Sequence, residues 1–303
     1  MEKSYAVGET DLAAWCEAWN DDERRLLPLA PADRLHDTAI LGIADHYAAG
    51  PRERPLAVGA VRRHFAFRQD TRVALDLHVR PEARGKGLGG SLLVHLLARA
   101  RALGAEVIRT YAPEGDAAWD ALAARHSLQA IEYDRFLLLE VDRTTTISAS
   151  LPGVRALASE PPGSEQEAWR LDQAIHAGLN TSAPYVPETF PDWRARVLEA
   201  PGSGPETVLV SRGTDGAMTG ICALRACAAQ PRTFYHVLTG VAESARGQGH
   251  GLALKQAAIQ LARELGAGRL IADTSPANTA MLALNQRLGY TAVLDVRNLE
   301  GTP

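Results

Sequence analysis

Two loops of this chain carry residues whose types and spacing suit one piece of chemistry, the holding of an anion. Arg84-Gly85-Lys86-Gly87-Leu88-Gly89-Gly90 and Arg246-Gly247-Gln248-Gly249-His250-Gly251 each follow a run of strand-forming residues and open a helical pattern. Glycine lets the backbone take positive φ and approach a ligand closely. A helix start adds unpaired N–H groups and the positive end of the helix dipole. Together they form a seat for a pyrophosphate that needs no side chain. Lys86 and His250 can add positive character there, or can be ordinary solvated residues.

Three other readings of these loops compete with it. Gly85, Gly87 and Gly90 satisfy the G-x-G-x-x-G of a dinucleotide-binding turn, but the second loop has Leu252 at the third position. The first loop also lies far into the chain, whereas that fingerprint usually follows the first strand. Neither loop ends in the Gly-Lys-Ser/Thr of a P-loop. A glycine turn with no ligand is the plainest alternative, and the presence of two copies argues against it.

The copies belong to a longer repeat. Shifting the chain by 162 residues lays Val79 to Gly89 on Val241 to Gly251, and without a gap lays Leu103-Gly104-Ala105 on Leu265-Gly266-Ala267. A duplicated domain is the expectation, with halves at 1–145 and 152–303. The length suits two domains. Residues between Asp142 and Glu165 are rich in Thr, Ser, Pro and Gly and suit a linker, part of which (Gly153 to Leu157) can open the second half as a strand. In the first half, Arg72 to Val79 predicts a strand, Ser91 to Leu103 a helix stopped by Gly104, and Glu106 to Tyr111 a strand. In the second, Thr233 to Val241, Arg269 to Thr274 and Thr291 to Leu299 predict strands, and Leu252 to Leu265 and Asn278 to Leu288 predict helices.

The pattern resembles the GNAT N-acetyltransferase family. Its signature is Arg or Gln, two residues, Gly, one residue, then Gly or Ala. Arg84, Gly87 and Gly89 fit it, as do Arg246, Gly249 and Gly251. The family's later Asn, Leu and Gly-aromatic positions fit Asn278, Leu288 and Gly289-Tyr290. The resemblance implies an α/β fold: a mixed, splayed sheet flanked by helices in each half, which opens after the strand ending at Val79 or Val241. It implies that acetyl-CoA, or another acyl-CoA, lays its pantetheine arm against Leu238, Thr239 and Val241, with its pyrophosphate on residues 246 to 251. The reaction is direct attack of an amine on the thioester, which needs a base, an oxyanion donor and relief of the leaving thiolate.

The halves differ beyond the loop. Asn278, Gly289 and Tyr290 correspond to Asp116, Ser127 and Leu128. An aspartate is a poor neighbour for a polyanion, so the second half is expected to work and the first to be degenerate. Asp273 is the first candidate for general base, or else a turn residue before Thr274-Ser275-Pro276. His236 is the second. Asp76 is the base if the first half acts. The family's acid, a tyrosine seven residues after the Asn, is here Asn285, an amide that can hydrogen-bond to a thiolate but cannot protonate it. Tyr290 is the available phenol. Asn180, Thr181 and Tyr185 are candidates to bind the acceptor, a small-molecule amine. Trp15 and Trp19 are expected to pack as a helical pair. Loss of the acid keeps a second class open, a non-catalytic acyl-CoA sensor or scaffold.

Bulk properties bound the partners. A net charge of -4 argues against nucleic acid. No apolar run is long enough to span a membrane, and Met1-Glu2-Lys3-Ser4-Tyr5 lacks a signal-peptide core. Cys16, Cys222 and Cys227 are too scattered for a disulfide framework or metal site. A metal-free cytoplasmic monomer or homodimer is the expectation.

Overall fold

A computed structural model describes residues 4–22, 24–63, 71–141, 153–178 and 185–303 of the chain. Its elements run β1 (Ser4–Ala6), α1 (Leu12–Asn20), α2 (Pro31–Leu41), β2 (Ala44–Ala49), β3 (Ala57–Arg62), β4 (Arg72–Val79), α3 (Leu88–Ala102), β5 (Val107–Pro113), α4 (Ala117–Arg125) and β6 (Gln129–Glu140). They continue with β7 (Val154–Ala156), α5 (Ser164–Ala177), α6 (Phe190–Val197), β8 (Val208–Arg212), β9 (Met218–Ala226), β10 (Thr233–Val241), α7 (His250–Glu264), β11 (Arg269–Thr274), α8 (Thr279–Arg287) and β12 (Thr291–Gly301). Helix α3 starts at Leu88 rather than Ser91, because Gly87 at φ +80° ends the loop and lets the helix begin at once.

Packing divides the chain into two units, Met1–Asp134 with Leu294–Pro303, and Arg135–Val293. In the first unit the strands run β1-β2-β3-β4-β5-β12, and only β4 and β5 are parallel. In the second they run β7-β8-β9-β10-β11-β6, and only β10 and β11 are parallel. The repeat in sequence is therefore a repeat in topology. The units differ from the expected halves, 1–145 and 152–303, in their last strands. Val296–Gly301 of β12 pairs with β5 in the first unit, and Arg135–Glu140 of β6 pairs with β11 in the second. Each half thus ends in the other's sheet.

Alternating side chains explain how each sheet binds helices on both faces. In the first unit, Leu92, Leu93, Leu96 and Leu97 of α3 pack on Val61, Val73 and Leu75. Against the opposite face, Trp15 and Trp19 of α1 stack with ring centres 5.3 Å apart. In the second unit, Leu254, Ala258 and Ile259 of α7 pack on Cys222, Leu224 and Phe234. Trp193, Leu171 and Val197 of α5 and α6 cover Val208, Val210 and Ile221 on the far face.

In both units the parallel pairing stops early. β4 pairs with β5 only from Arg72 to Leu75, and β10 with β11 only from Thr233 to Tyr235. Asp76 to Val79 and His236 to Val241 therefore run on with one edge unpaired by the neighbouring parallel strand. In β10 a bulge between His236 and Leu238 inserts one residue against β9, and a bulge bends a strand and raises its twist. Among the described residues, no helix is long and apolar enough to cross a membrane, and no cluster of His, Cys, Asp or Glu could hold a metal ion.

The exchange of last strands makes a testable claim. Leu299, at the end of the chain, is buried in the first unit's core, and Leu137 is buried in the second's. Leu299→Ala is expected to destabilise the first unit, and Leu137→Ala the second, each by about 2–5 kcal/mol. Urea unfolding followed by hydrogen exchange at α3 and α7 assigns each loss to its unit.

Candidate active site

In the second unit the resemblance-predicted residues lie on the loop after β10, on the ends of β10 and β11, and on α8 and the residues after it. Gly247 and Gly249 hold φ +76° and +90°, and a Cβ on either would meet nothing within 4 Å, so it is conformation and not space that requires glycine. Gly249 caps α7 without a side-chain bond, which leaves the helix's first N–H groups without such a partner. Gln248 folds back to donate to the Ser244 carbonyl, and His250 Nδ1 lies 3.3 Å from Thr219 Oγ1. Arg246 is exposed and, among the described residues, makes no ion pair. Gly251 faces Val241 and Leu284, where an added Cβ would lie in ordinary contact at 3.7 and 3.6 Å. The loop is thus an open ring of amides at the end of an open strand edge.

On the α5–α6 face of that edge, Asp273 at the end of β11 accepts the Tyr235 phenol at 2.5 Å. Ser275 accepts the Ala277 N–H in the turn beyond, so the turn has its own capping residue and Asp273 is engaged across the strands. Nearby, Asp172 is fully buried and meets Trp193 Nε1 at 2.9 Å, Arg196 Nη2 at 3.1 Å and His176 Nδ1 at 2.9 Å. Burial opposes the Asp172 charge, but His176 and Arg196 hold its pKa below the usual range. Tyr185 stacks on His176 and donates to Gln173 Oε1. Asn180 and Thr181 lie outside the described residues.

On the α7 face the structure joins residues that the sequence kept apart. His236 Nε2 and Tyr290 Oη are 2.7 Å apart, His236 Nδ1 and Cys222 Sγ 3.4 Å, and Cys222 Sγ and Thr239 Oγ1 3.3 Å. Burial, and then the Lys255 charge, push the His236 pKa well below 6.5. Burial pushes the Tyr290 phenol up. Lys255, 1% exposed, has Nζ 5.2 Å from the Tyr290 ring centre, and burial lowers its pKa to about 8. Asn285 is fully buried with neither amide atom hydrogen-bonded. Asn278 caps α8 through Met281 N–H at 3.1 Å, which leaves its NH2 group to other partners.

The corresponding place in the first unit is filled by its own charges. Arg84 Nη2 donates to Asp22 at 2.6 Å, and Arg24 bridges Asp22 and Asp116 at 2.9 and 2.8 Å. Burial opposes the Asp22 charge, but Arg24 and Arg84 hold it far below the usual range. Asp116 also caps α4 through Ala118 and Trp119 N–H. Asp76 lies buried between Arg62 Nε at 2.9 Å and Arg34 Nη2 at 3.0 Å. Burial would raise its pKa, yet Arg62 and Arg34 keep it charged. The loop itself keeps its form, with Gly85 and Gly87 at φ +74° and +80° and Lys86 Nζ donating to the Glu82 carbonyl at 2.9 Å. Leu88 is buried, and Gly89 lies so close to Val79 that a Cβ would sit 3.2 Å from it. Gly90 is a helix residue facing Leu122.

Comparison with known proteins identifies the family. The acetyltransferase (GNAT) family matches residues 5–125 and again 171–290. The chain belongs to that family. It is a tandem GNAT protein of the N-acetyltransferase class. It is 31% identical over 233 residues to a mycothiol acetyltransferase of Sanguibacter keddieii, covering 73% of this chain and 72% of that protein. A mycothiol acetyltransferase of Renibacterium salmoninarum is 30% identical over 222 residues, covering 71% of this chain and 63% of that protein. Among solved structures, a GNAT-family N-acetyltransferase from Sphaerobacter thermophilus aligns at TM-score 0.74 and 19% identity, over 99% of this chain and 95% of that one. A tandem GNAT protein from the clavulanic acid biosynthesis pathway aligns at TM-score 0.76 and 16% identity, over 100% and 98%. These two show the fold alone.

Sequence reasoning missed Lys255, Tyr235, Cys222 and the Asp22–Arg24 bridge in this GNAT chain. Lys255 had a signal, since it sits in the apolar stripe of α7 with Leu254, Ala258 and Ile259. The bridge had none, because Arg24 and Asp116 are distant in sequence.

The Asp76 assignment has a direct test. Asp76→Asn leaves Arg34 and Arg62 buried without their carboxylate, so the first unit should lose about 3–5 kcal/mol of stability. Urea unfolding measures it, and acyl transfer by folded protein should continue.

Proposed function

We propose that this protein transfers the acetyl group of acetyl-CoA to the amine of a small molecule, and that the second unit does so. The observation that carries the choice of unit is the contrast between Arg246, exposed and unpaired among the described residues, and Arg84, tied to Asp22. A pyrophosphate meets open amides and a cation in the second unit, but a carboxylate in the first. In this reading the pantetheine arm pairs with the open edge of Leu238, Thr239 and Val241. Residues 246 to 251 hold the pyrophosphate, and the NH2 group of Asn278 supplies a further donor.

Asp273 is the general base. It faces the α5–α6 side with Tyr235, where the acceptor enters, whereas His236 is enclosed on the other face and held neutral. A base must be unprotonated and within reach of the amine; His236 is unprotonated but enclosed, with both ring nitrogens engaged, so the amine gives its proton to Asp273 as nitrogen attacks the thioester carbon. His236 and Tyr290 then serve the sulfur side of the reaction, not the amine side. The acceptor lies near Tyr185, and the chemistry of the two mycothiol acetyltransferase relatives makes mycothiol-forming amines the first to test.

Titrating acetyl-CoA calorimetrically should give one molecule per chain. Gly249→Glu should abolish the binding, and Gly87→Glu should leave it. Two molecules per chain would make the first unit a second seat, and loss through Gly87→Glu alone would move the site to the first unit. With any amine that supports CoA release, Asp273→Asn should lower kcat by about 10²–10⁴-fold and keep acetyl-CoA affinity. Unchanged turnover would remove Asp273 from the role.

A further inference from the structure

The second unit buries a polar chain whose purpose the fold alone does not require. Its members come from three places: Cys222 on β9, His236 and Thr239 on β10, and Tyr290 just before β12. Cys222 and Thr239 are cross-strand partners. Thr239 belongs to the part of β10 that has left β11, and it is half-buried while Cys222, His236 and Tyr290 are buried. The chain therefore runs from the interior to the open edge.

Its direction follows from satisfaction of its donors. The Tyr290 phenol has His236 Nε2 as its hydrogen-bond partner among the described residues. If the phenol donates, His236 Nδ1–H donates to Cys222 Sγ, the thiol donates to Thr239 Oγ1, and the Thr239 hydrogen is left for an occupant of the cleft. The reverse order leaves a buried phenol hydrogen with no acceptor, which is the costlier arrangement. The tautomer this selects, Nδ1–H, is the one that aims the chain outward.

Lys255 stands beside the chain. The sequence has three lysines among 32 basic residues, and one of them is buried here. An ammonium is a compact charge whose proton affinity responds to burial, as a guanidinium's does not. The titratable groups on its own face are Cys222 from β9, His236 from β10 and Tyr290 just before β12, while Asp273 of β11 acts on it only at longer range and raises its proton affinity. Among the described residues no ion pair joins Lys255 to a carboxylate, and Asp273 offsets its charge only at longer range.

We propose that the Thr239 hydroxyl, aimed by Tyr290, His236 and Cys222 and assisted by the Lys255 ammonium, stabilises the thiolate that leaves acyl-CoA. It takes the place of the phenol that position 285 lacks. This rests on the second unit being the acyl-CoA site. Asn285 cannot fill the role, because its amide is enclosed. In the step itself the amine nitrogen bonds to the acyl carbon, the carbon–sulfur bond breaks with its electron pair going to sulfur, and the nitrogen's proton goes to Asp273. The thiolate accepts the Thr239 hydrogen bond, departs as CoA thiolate and is protonated by water after release. Lys255 does not touch substrate; it is a positioning residue acting through its charge. That charge is present below its pKa of about 8 and fades as pH rises through it.

CoA itself is the probe, so no acceptor is needed. The thiol of bound CoA is titrated by the ultraviolet absorbance of its thiolate, with the acetyl-CoA complex as blank. In the wild type it should titrate about one unit lower than free CoA. Thr239→Val and Lys255→Met should each remove at least half of that shift, Lys255→Met with acetyl-CoA affinity changed less than about twofold, and Thr239→Ser should restore it. A bound thiol that titrates like free CoA, or a shift that survives both variants, would overturn the proposal. If CoA and acetyl-CoA do not bind at all, the underlying reading of the second unit falls first, and this one with it.

Discussion

A strand edge cannot be left without hydrogen-bond partners in a folded protein unless water or a ligand supplies them. In the second unit β10 leaves β11 after Tyr235 and runs on to Val241 with that edge open. Much else follows from it. The bulge after His236 turns the strand away from its neighbour, the glycine loop ends it, and α7 begins directly beyond with its amides uncapped. A ligand that satisfies the edge must be extended, must carry its own amides and must end in an anion. Acyl-CoA is such a ligand, and in the proposed reading its thioester lies between Asp273 on one face and Thr239 on the other.

The first unit repeats the backbone but not the electrostatics. β4 leaves β5 after Leu75, and its loop glycines take the same conformation. Yet Asp22, Arg24, Arg84 and Asp116 satisfy one another beside the loop, and Asp76 is claimed by Arg34 and Arg62. Each pair would have to be broken and desolvated anew for a ligand to enter. In the proposed reading, duplication has left one cleft for chemistry and the other as an internally neutralised support.

The sequence made the loops, the strands before them and the helices after them legible, because glycine, β-branched runs and helical spacing are local signals. Through the family resemblance it also singled out Asp273, Asn278 and Tyr290 as candidates, whose partners only the structure supplies. It did not reveal the exchange of last strands, since the alternating Leu137 and Leu139 would suit either sheet. Nor did it reveal the His236–Cys222–Thr239 chain or the Arg24 bridge. Those depend on register and on loops, where side chains far apart in sequence meet, and no local pattern encodes such meetings. Lys255 lay between the two cases: a charged residue on an apolar helical stripe is readable as an anomaly, but its neighbours are not.

The central claim is that the open edge of β10 is the acyl-CoA seat and that of β4 is not. Amide hydrogen exchange with and without acetyl-CoA tests it most directly, because it reads the backbone edge itself. The account predicts slowed exchange at Leu238 to Val241 and at the amides of residues 247 to 252, with Leu77 to Val79 and residues 85 to 90 unchanged. Protection confined to the first unit's edge, or protection of both edges alike, would contradict it.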